Sequence, residues 1–405
     1  MSAITDPPKG GFQLSQLIYD TRYRSMTIQI VALVLFLLGV GWLLNNAAQN
    51  LAALGKPLSF GFLGEAAGYD INQKLIEYNN QMSHGRAALV GVLNTLLVAV
   101  LGCALATVLG VVIGVLRLSK NWIVARIMTF YIETIRNVPV LLWIVLTMAI
   151  FIESFPAPRD FRGEDAAASM SLWDSVALTN RGLYIPKPEM YSGSMVVVAV
   201  FLLSIIGIFV FGSWSRKRQE ATGQILPNFW IKLAIFFVPT LLIYFILGRP
   251  IGLEMPVLKG FNFQGGIYMR NSLIALTLAL GLYTAAFIAE NVRAGIMAVS
   301  KGQSEAAFAL GLSPNRTMNL IILPQALRVI IPPLISQYLN LTKNSSLAIA
   351  VGYMDITGTL GGITLNQTGK EMECLLILMA IYLVISLTIS TIMNWYNESV
   401  KLRER

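Results

Sequence analysis

The feature that most constrains this chain is a series of apolar runs, at residues 26–44, 88–116, 127–152, 194–212, 230–247, 271–289, 329–351 and 373–396. A helix crosses the hydrocarbon of a bilayer in about 20 residues. In lipid every backbone N–H and C=O must be satisfied internally, which leaves helices or closed barrels as spanning structures. Continuous apolar runs of this length specify helices, so the expected fold is all-α and integral to the membrane, with about eight transmembrane helices. Composition agrees. The 405 residues are 55% hydrophobic and 13% charged, whereas soluble domains carry about 25% charged residues. The first run is too long for a cleavable signal peptide, and Asn45-Asn46 behind it do not form a small-residue cleavage site. It reads as an uncleaved span.

The net charge of +9 is scattered between apolar runs, not gathered into an exposed patch. That distribution argues against nucleic acid as a partner and for a topology signal. With the N-terminus placed inside, the turn after the second run holds Arg117, Lys120 and Arg126 with no acid, and residues 153–193 outside hold six acids against four bases. Both termini are therefore expected in the cytoplasm. The outside segments 45–87 and 153–193 are long, and Pro156, Pro158, Pro186 and Pro188 predict an irregular course for the second. Two cysteines, Cys103 and Cys374, both in apolar runs, indicate neither a metal cluster nor a disulfide framework. The one histidine, His84, reads as a solvated loop residue.

Transport needs a source of work, and the sequence does not carry one. A phosphate-binding loop requires Gly, four residues, then Gly-Lys-Ser/Thr. The near miss at Gly369-Lys370 has Thr364 at the first position and Glu371 after the lysine. No zinc motif or serine-nucleophile elbow is present either, so the chain reads as a non-enzyme without a cofactor of its own.

The stretch 291–328 lies inside and is rich in Ala and Gly. A short helix is expected over 304–310, with Ser304 as N-cap, Glu305 at the positive helix start, Ala306 and Ala307 as strong formers, and Gly311 as a left-handed terminator. A second helix should begin at Pro314. Physical chemistry alone leaves two readings of this elbow, an amphipathic connector or a docking surface.

A resemblance separates them. Glu305-Ala306-Ala307, three residues, Gly311, nine residues, Ile321, one residue, Leu323-Pro324 matches the EAA loop of ABC-importer permeases at each defining position. Asn94-Thr95, the run YIETIRNVPVLL at 131–142 and NLTKNSSL at 340–347 resemble segments of the polar amino-acid permease core, with Asn137 where glycine is common. The match spans roughly 88–152 and 271–396. Residues 1–87 then form an N-terminal tail, extra span and periplasmic loop; 88–152 the first part of the core; 153–270 an insertion with two further spans; 271–398 the second part of the core, including the loop 291–328; and 399–405 a cytoplasmic tail. Such elongated members resemble permeases of broad-specificity L-amino-acid and of glutamate/glutamine/aspartate/asparagine importers.

The resemblance implies a type I importer core in a bacterial inner membrane, working by alternating access. It implies an ATPase dimer that binds ATP and magnesium, a second permease that is either a copy of this chain or a paralogue, the elongated type pointing to a paralogue, a periplasmic amino-acid-binding protein and an amino-acid substrate. Residues 304–312 become the coupling helix, with Ser304, Glu305, Ala306, Ala307, Gly311, Leu312 and Pro324 as ATPase-coupling residues.

Polar residues at membrane depth are functional candidates by default. Glu133 and Arg136 share a helix face; Arg136 either reaches into the span to bind a carboxylate or pairs with Glu133 on an interfacial helix whose span begins at Pro139. Ser336, Asn340 and Lys343 form a polar stripe that faces either a translocation path or a neighbouring helix. Tyr283, Thr284 and Glu290 lie on one face of the sixth run, and Glu290 has Arg293 as an alternative partner. Asn94 and Ser345, within the segments that carry the resemblance, complete the candidate pathway. Gly110 and Gly114 form a GxxxG pair that signals close helix packing. The rival function from another class is a secondary transporter driven by ion gradients, which uses broken helices and intramembrane charges in similar ways.

Overall fold

The structure is a computed structural model that describes residues 21–400 apart from 54, 56, 164, 165 and 225. The tail up to residue 20 and residues 401–405, which the charge pattern places inside, lie outside the described residues. Among the described residues, eight helices are long and apolar enough to cross a membrane. In chain order the helices are α1 (Thr21–Ala53), α2 (His84–Arg117), α3 (Trp122–Asn137), α4 (Val140–Ser154), α5 (Ser194–Thr222), α6 (Asn228–Ile246), α7 (Asn271–Met297), α8 (Lys301–Ala309), α9 (Pro314–Thr317), α10 (Leu323–Asn344), α11 (Leu365–Thr368) and α12 (Glu371–Val400).

The spine is the pair α2 and α7, which pack along their length. Small residues permit the approach. A Cβ added at Gly110 would lie 2.6 Å from Ile288 and 3.0 Å from the carbonyl oxygen of Ala285, and one at Gly114 would lie 2.7 Å from that of Ala289. Gly281 answers from α7, facing Leu105 at 2.6 Å. Lipid tails are as apolar as the side chains, so association rests on such close van der Waals fit. Helices α4 and α10 also pack on α7, and Val98, Ala106, Ile144, Leu276, Leu280 and Leu341 are among the buried residues of the shared core.

The third apolar run is not one span. It divides into α3 and α4 at Val138, whose φ −109° and ψ 135° are extended. Proline bars its preceding residue from helical conformation, and Pro139 does so here. The span therefore starts at residue 140 and not at 127. Helix α3 is amphipathic, capped by the Asn121 side chain, which accepts from the amides of Ile123 and Val124, and it buries Ile132 and Ile135.

The segments on either side of the α5–α6 hairpin are more ordered than the prolines of 153–193 suggest. Residues 153–193 hold β1 (Ala177–Thr179), β2 (Gly182–Ile185) and β3 (Lys187–Met190), and residues 248–270 hold β4 (Ile251–Glu254), β5 (Val257–Lys259), β6 (Asn262–Gln264) and β7 (Ile267–Arg270). Strand β2 pairs antiparallel with both β1 and β7, β3 with β4, and β5 with β6. The α5–α6 hairpin is thus spliced into a small sheet whose two halves flank it in sequence. The prolines are accommodated because the pieces are short and Pro188 sits in a two-stranded ribbon, where edge positions require no amide.

Residues 352–370 also do more than loop. After the left-handed Gly352 (φ 65°), a π-helical turn at Thr357–Thr364 wedges between α2 and α12. The Ile356 amide donates to Thr95 Oγ1 at 3.1 Å, the Tyr353 hydroxyl to the Asn94 carbonyl at 3.1 Å, and Asp355 accepts from the Gly358 amide at 2.8 Å. His84 is buried beside this segment, its Nδ1 3.0 Å from Thr364 Oγ1, and is no solvated loop residue. Tyr78, in the segment that covers this end of α2, donates to the Tyr69 carbonyl at 2.8 Å. Burial pushes its phenol up to about 12, so it remains a donor at neutral pH.

Gly110→Val is expected to destabilise the protein by about 1–3 kcal/mol through overpacking against Ile288, whereas Gly39→Ala, with nothing within 4 Å of the added carbon, should be neutral. Thermal melting of both variants in detergent checks this; equal melting temperatures would contradict the α2–α7 spine.

Candidate functional site

Two regions bring the sequence-level candidates together. The first is the elbow between α7 and α10. Helix α8 runs from Lys301 to Ala309, so it begins earlier than expected: Ser300 and not Ser304 is the N-cap, with φ −61° and ψ 141°. The chain leaves α7 only at Ala298, turns extended at Ser300, and the Gln303 amide closes the first turn onto the Ser300 carbonyl at 3.1 Å. The C-terminus follows the sequence. The Gly311 amide donates to Phe308 O at 2.9 Å and the Leu312 amide to Ala307 O at 3.1 Å, a Schellman cap with Gly311 at φ 76°. A β-carbon in that conformation costs about 1–2 kcal/mol. Helix α9 begins at Pro314 after Ser313, as the proline predicts.

The elbow is anchored on one side and bare on the other. Ala307 is buried, while Glu305, Ala306, Phe308 and Leu310 are exposed, Leu310 to 82%. Ser304 and Leu312 are half-buried. Behind it, a π-helical turn at Met318–Ile322 contacts α8 and continues into α10, whose second residue is Pro324. A Cβ on Gly295 would press on Ile330 and lie 3.2 Å from the Ala326 carbonyl, so α7 and α10 are clamped together where the elbow leaves them.

The second region is a charged cluster where α2, α3 and α7 meet. Glu290 bonds the Arg117 guanidinium at the end of α2, and also Arg293 Nε at 3.1 Å. Arg117 Nη2 lies 3.9 Å from Glu133 on α3. Arg136 does not pair with Glu133; its guanidinium lies over the Phe287 ring at 5.1 Å, and that ring packs on Tyr283 with centroids 5.1 Å apart. So Glu133, Arg136, Tyr283 and Glu290 share one neighbourhood. Arg136 is in the last turn of α3, just before the break at Val138, and so is not part of the helix that forms the span from residue 140. Arg117 is the member that sequence reading missed. It counted only as a topological charge, although its place at a span end, opposite a near-membrane glutamate, was the available signal.

The remaining candidates divide. Thr284 is buried on α7. Asn94 is buried and gives its amide to the Gln73 and Met354 carbonyls at 2.7 and 2.9 Å, and Ser345 gives its hydroxyl to the Thr342 carbonyl at 2.8 Å. Both are committed to backbone groups. Ser336, Asn340 and Lys343 form an exposed face of α10, and among the described residues no carboxylate lies within ion-pair distance of Lys343. A polar stripe on a spanning helix is not left to lipid. This chain does not cover it. Among the described residues no group of three or more His, Cys, Asp or Glu is placed to hold a metal ion.

Residues 221–403 match the model of the family described as binding-protein-dependent transport system inner membrane component. The chain is 57% identical to the glutamate/glutamine/aspartate/asparagine transport system permease protein BztB of Rhodobacter capsulatus over 100% of both chains. It is 44% identical to the general L-amino acid transport system permease protein AapQ of Rhizobium johnstonii over 99% of this chain and 98% of that one. The shorter glutamate/aspartate import permease protein GltJ of Escherichia coli K12 matches at 29% over 52% of this chain and 87% of its own length. The fold and the elbow define a multi-pass inner-membrane translocation component. The chain belongs to the amino-acid permeases of ABC importers, whose ATP hydrolysis is carried by a separate ATPase. The matches to BztB and AapQ run the full length and so include the segments the shorter relative has no length to contain.

Arg117 and Glu290 are half-buried and in direct contact, so the effects of their removal should not be additive. In a double-mutant cycle of Arg117→Met and Glu290→Gln, a coupling of about 1–3 kcal/mol is expected. Chemical or thermal unfolding of the four proteins measures it, and additive effects would show that the two side chains do not act together.

Proposed function

We propose that this chain forms one half of the translocation path of an ATP-driven importer of acidic amino acids and their amides, and that α8 couples it to the ATPase. The observation that carries this is the elbow. A short, sharply capped helix presents Glu305, Ala306, Phe308 and Leu310 to solvent while the elements behind it are clamped to α7 and α10. A rigid-body displacement of the motor, bound there, moves both helices together, as hinge and shear transitions do. Residues 304–312 with Pro324 are the coupling surface, within the inside segment 291–328.

The exposed polar face of Ser336, Asn340 and Lys343 supports a second permease subunit completing the path, because this chain alone leaves these groups without cover. In this reading the charged cluster of Glu133, Arg136 and Glu290 closes one end of the path, Tyr283 and Thr284 line it, and Asn94 and Ser345 hold its walls. Opening alternates between the two membrane faces. A binding protein delivers substrate to the outer side, and both termini are cytoplasmic. The core comprises 88–152 and 271–398, interrupted by the insertion 153–270. The substrate class follows the full-length likeness to a protein named for glutamate, glutamine, aspartate and asparagine transport. An ion-gradient carrier has no use for an exposed motor-docking helix.

Gly311→Pro tests the coupling, because proline's fixed φ near −65° is incompatible with +76°. In proteoliposomes with the partner ATPase, permease and binding protein, ATP-driven glutamate uptake is expected to fall roughly ten-fold or more, the equivalent of about 1.4 kcal/mol, while the protein still inserts and ATP is still hydrolysed. Normal uptake would remove α8 from the coupling role, and uptake that persists without ATP but collapses with dissipated ion gradients would establish the secondary transporter. Arg136→Ala should lower the uptake rate at saturating binding protein; an unchanged rate returns Arg136 to a packing role on Phe287.

A further inference from the structure

The α5–α6 hairpin of the insertion carries a feature that the transport reading does not use. Its helices pack chiefly on each other. Near the connecting turn they enclose a groove of about 550 Å³, lined by Gly212, Ser213, Arg216, Lys217 and Glu220 of α5 and by Lys232 of α6. The hairpin is pinned at this level. Ser215 Oγ, buried, donates to Asn228 Oδ1 at 2.6 Å. A β-carbon on Gly212 would lie 3.4 Å from Lys232 Nζ, so the glycine leaves room for that ammonium to cross to α5.

We propose that this groove binds the headgroup phosphate of an anionic phospholipid, such as phosphatidylglycerol or cardiolipin. The charge is complementary: three cations face one acid, and among the described residues Arg216, Lys217 and Lys232 have no carboxylate within ion-pair distance. Arg218 points elsewhere, stacked over Trp214 at 5.3 Å. The depth fits a headgroup. From Ser194, where α5 begins, to Gly212 is about 27 Å of helix at 1.5 Å per residue, close to the ~30 Å of hydrocarbon. The cations then lie at the phosphate level of the second leaflet. Trp214, Phe229 and Trp230 are exposed around them, as in interfacial aromatic belts. An adjoining groove of about 430 Å³, formed by Phe209, Val210, Ser213, Trp214 and Lys217, runs from the basic cluster up the apolar face and suits an acyl chain. Basic pockets between spanning helices take such headgroups. A free phosphate shares the charge but has no use for the apolar groove or the membrane depth.

The test is native mass spectrometry of the full-length permease in its assembled transporter, purified in detergent and titrated with phosphatidylglycerol, phosphatidylcholine or inorganic phosphate. The wild type is expected to retain phosphatidylglycerol in preference to phosphatidylcholine. Each charge near the headgroup is worth roughly five-fold in affinity, so the Arg216→Gln/Lys217→Gln/Lys232→Gln variant should lose on the order of a hundred-fold. Lys120→Gln, in the turn between α2 and α3, should bind like wild type. Gly212→Leu keeps every charge and fills the space beside Lys232; weaker retention by it, with an unchanged melting temperature, supports a built groove even if the triple variant does not fold. Equal retention of the two lipids, wild-type binding by both groove variants, or displacement of bound lipid by equimolar inorganic phosphate would overturn the proposal.

Discussion

The packed helices around α7 hang on its contact with α2. Gly110, Gly114 and Gly281 bring the two helices so close that a β-carbon at any of the three would collide with Ile288, Val292 or Leu105 across the seam. In water such a contact would be one contribution among many. In lipid, where burying leucine against leucine gains little over leucine against acyl chain, it is what defines the fold. The consequences run outward from that seam. Helices α4 and α10 pack against α7, the segment 352–370 wedges against α2, and the α8 elbow emerges from the end of α7. The same seam brings Arg117 at the end of α2 within reach of Glu290 on α7.

Much of this was legible in the sequence, and the reasons are physical. Seven of the expected spans overlie single helices because an apolar run near 20 residues long has few other solutions in a membrane. The C-terminal end of α8 was legible because Gly311 is the residue type that a left-handed cap requires. The break at Val138-Pro139 was visible as an alternative, since proline constrains its predecessor, but hydropathy ran straight through it. The start of α8 was misjudged because Ser300 and Ser304 are both good caps, and only the length of chain needed to leave α7 distinguishes them.

What the sequence did not reveal lies where distant segments meet. The sheet beside the α5–α6 hairpin pairs β2 with β7 across it, and its strands of three or four residues are too short to show alternation. His84 is buried because Thr364, far along the chain, reaches it. Of the candidate pathway residues, Glu133, Arg136, Tyr283 and Glu290 do gather, yet Asn94 and Ser345 spend their side chains on backbone carbonyls. Residue type marked all of them as costly in lipid; partner choice, which depends on tertiary placement, separates the members of a charged cluster from structural staples.

The central claim is that the bare surface of α8 is where the motor docks. The most direct measurement is site-specific photo-crosslinking in the assembled transporter, with the probe placed at Leu310, which is 82% exposed, and in parallel at Trp173, which is 97% exposed in the insertion segment that precedes β1. The account predicts a cross-link from position 310 to the ATPase subunit and none to it from position 173. A probe at 310 that captures only lipid or the binding protein, or an ATPase cross-link from 173, would contradict it.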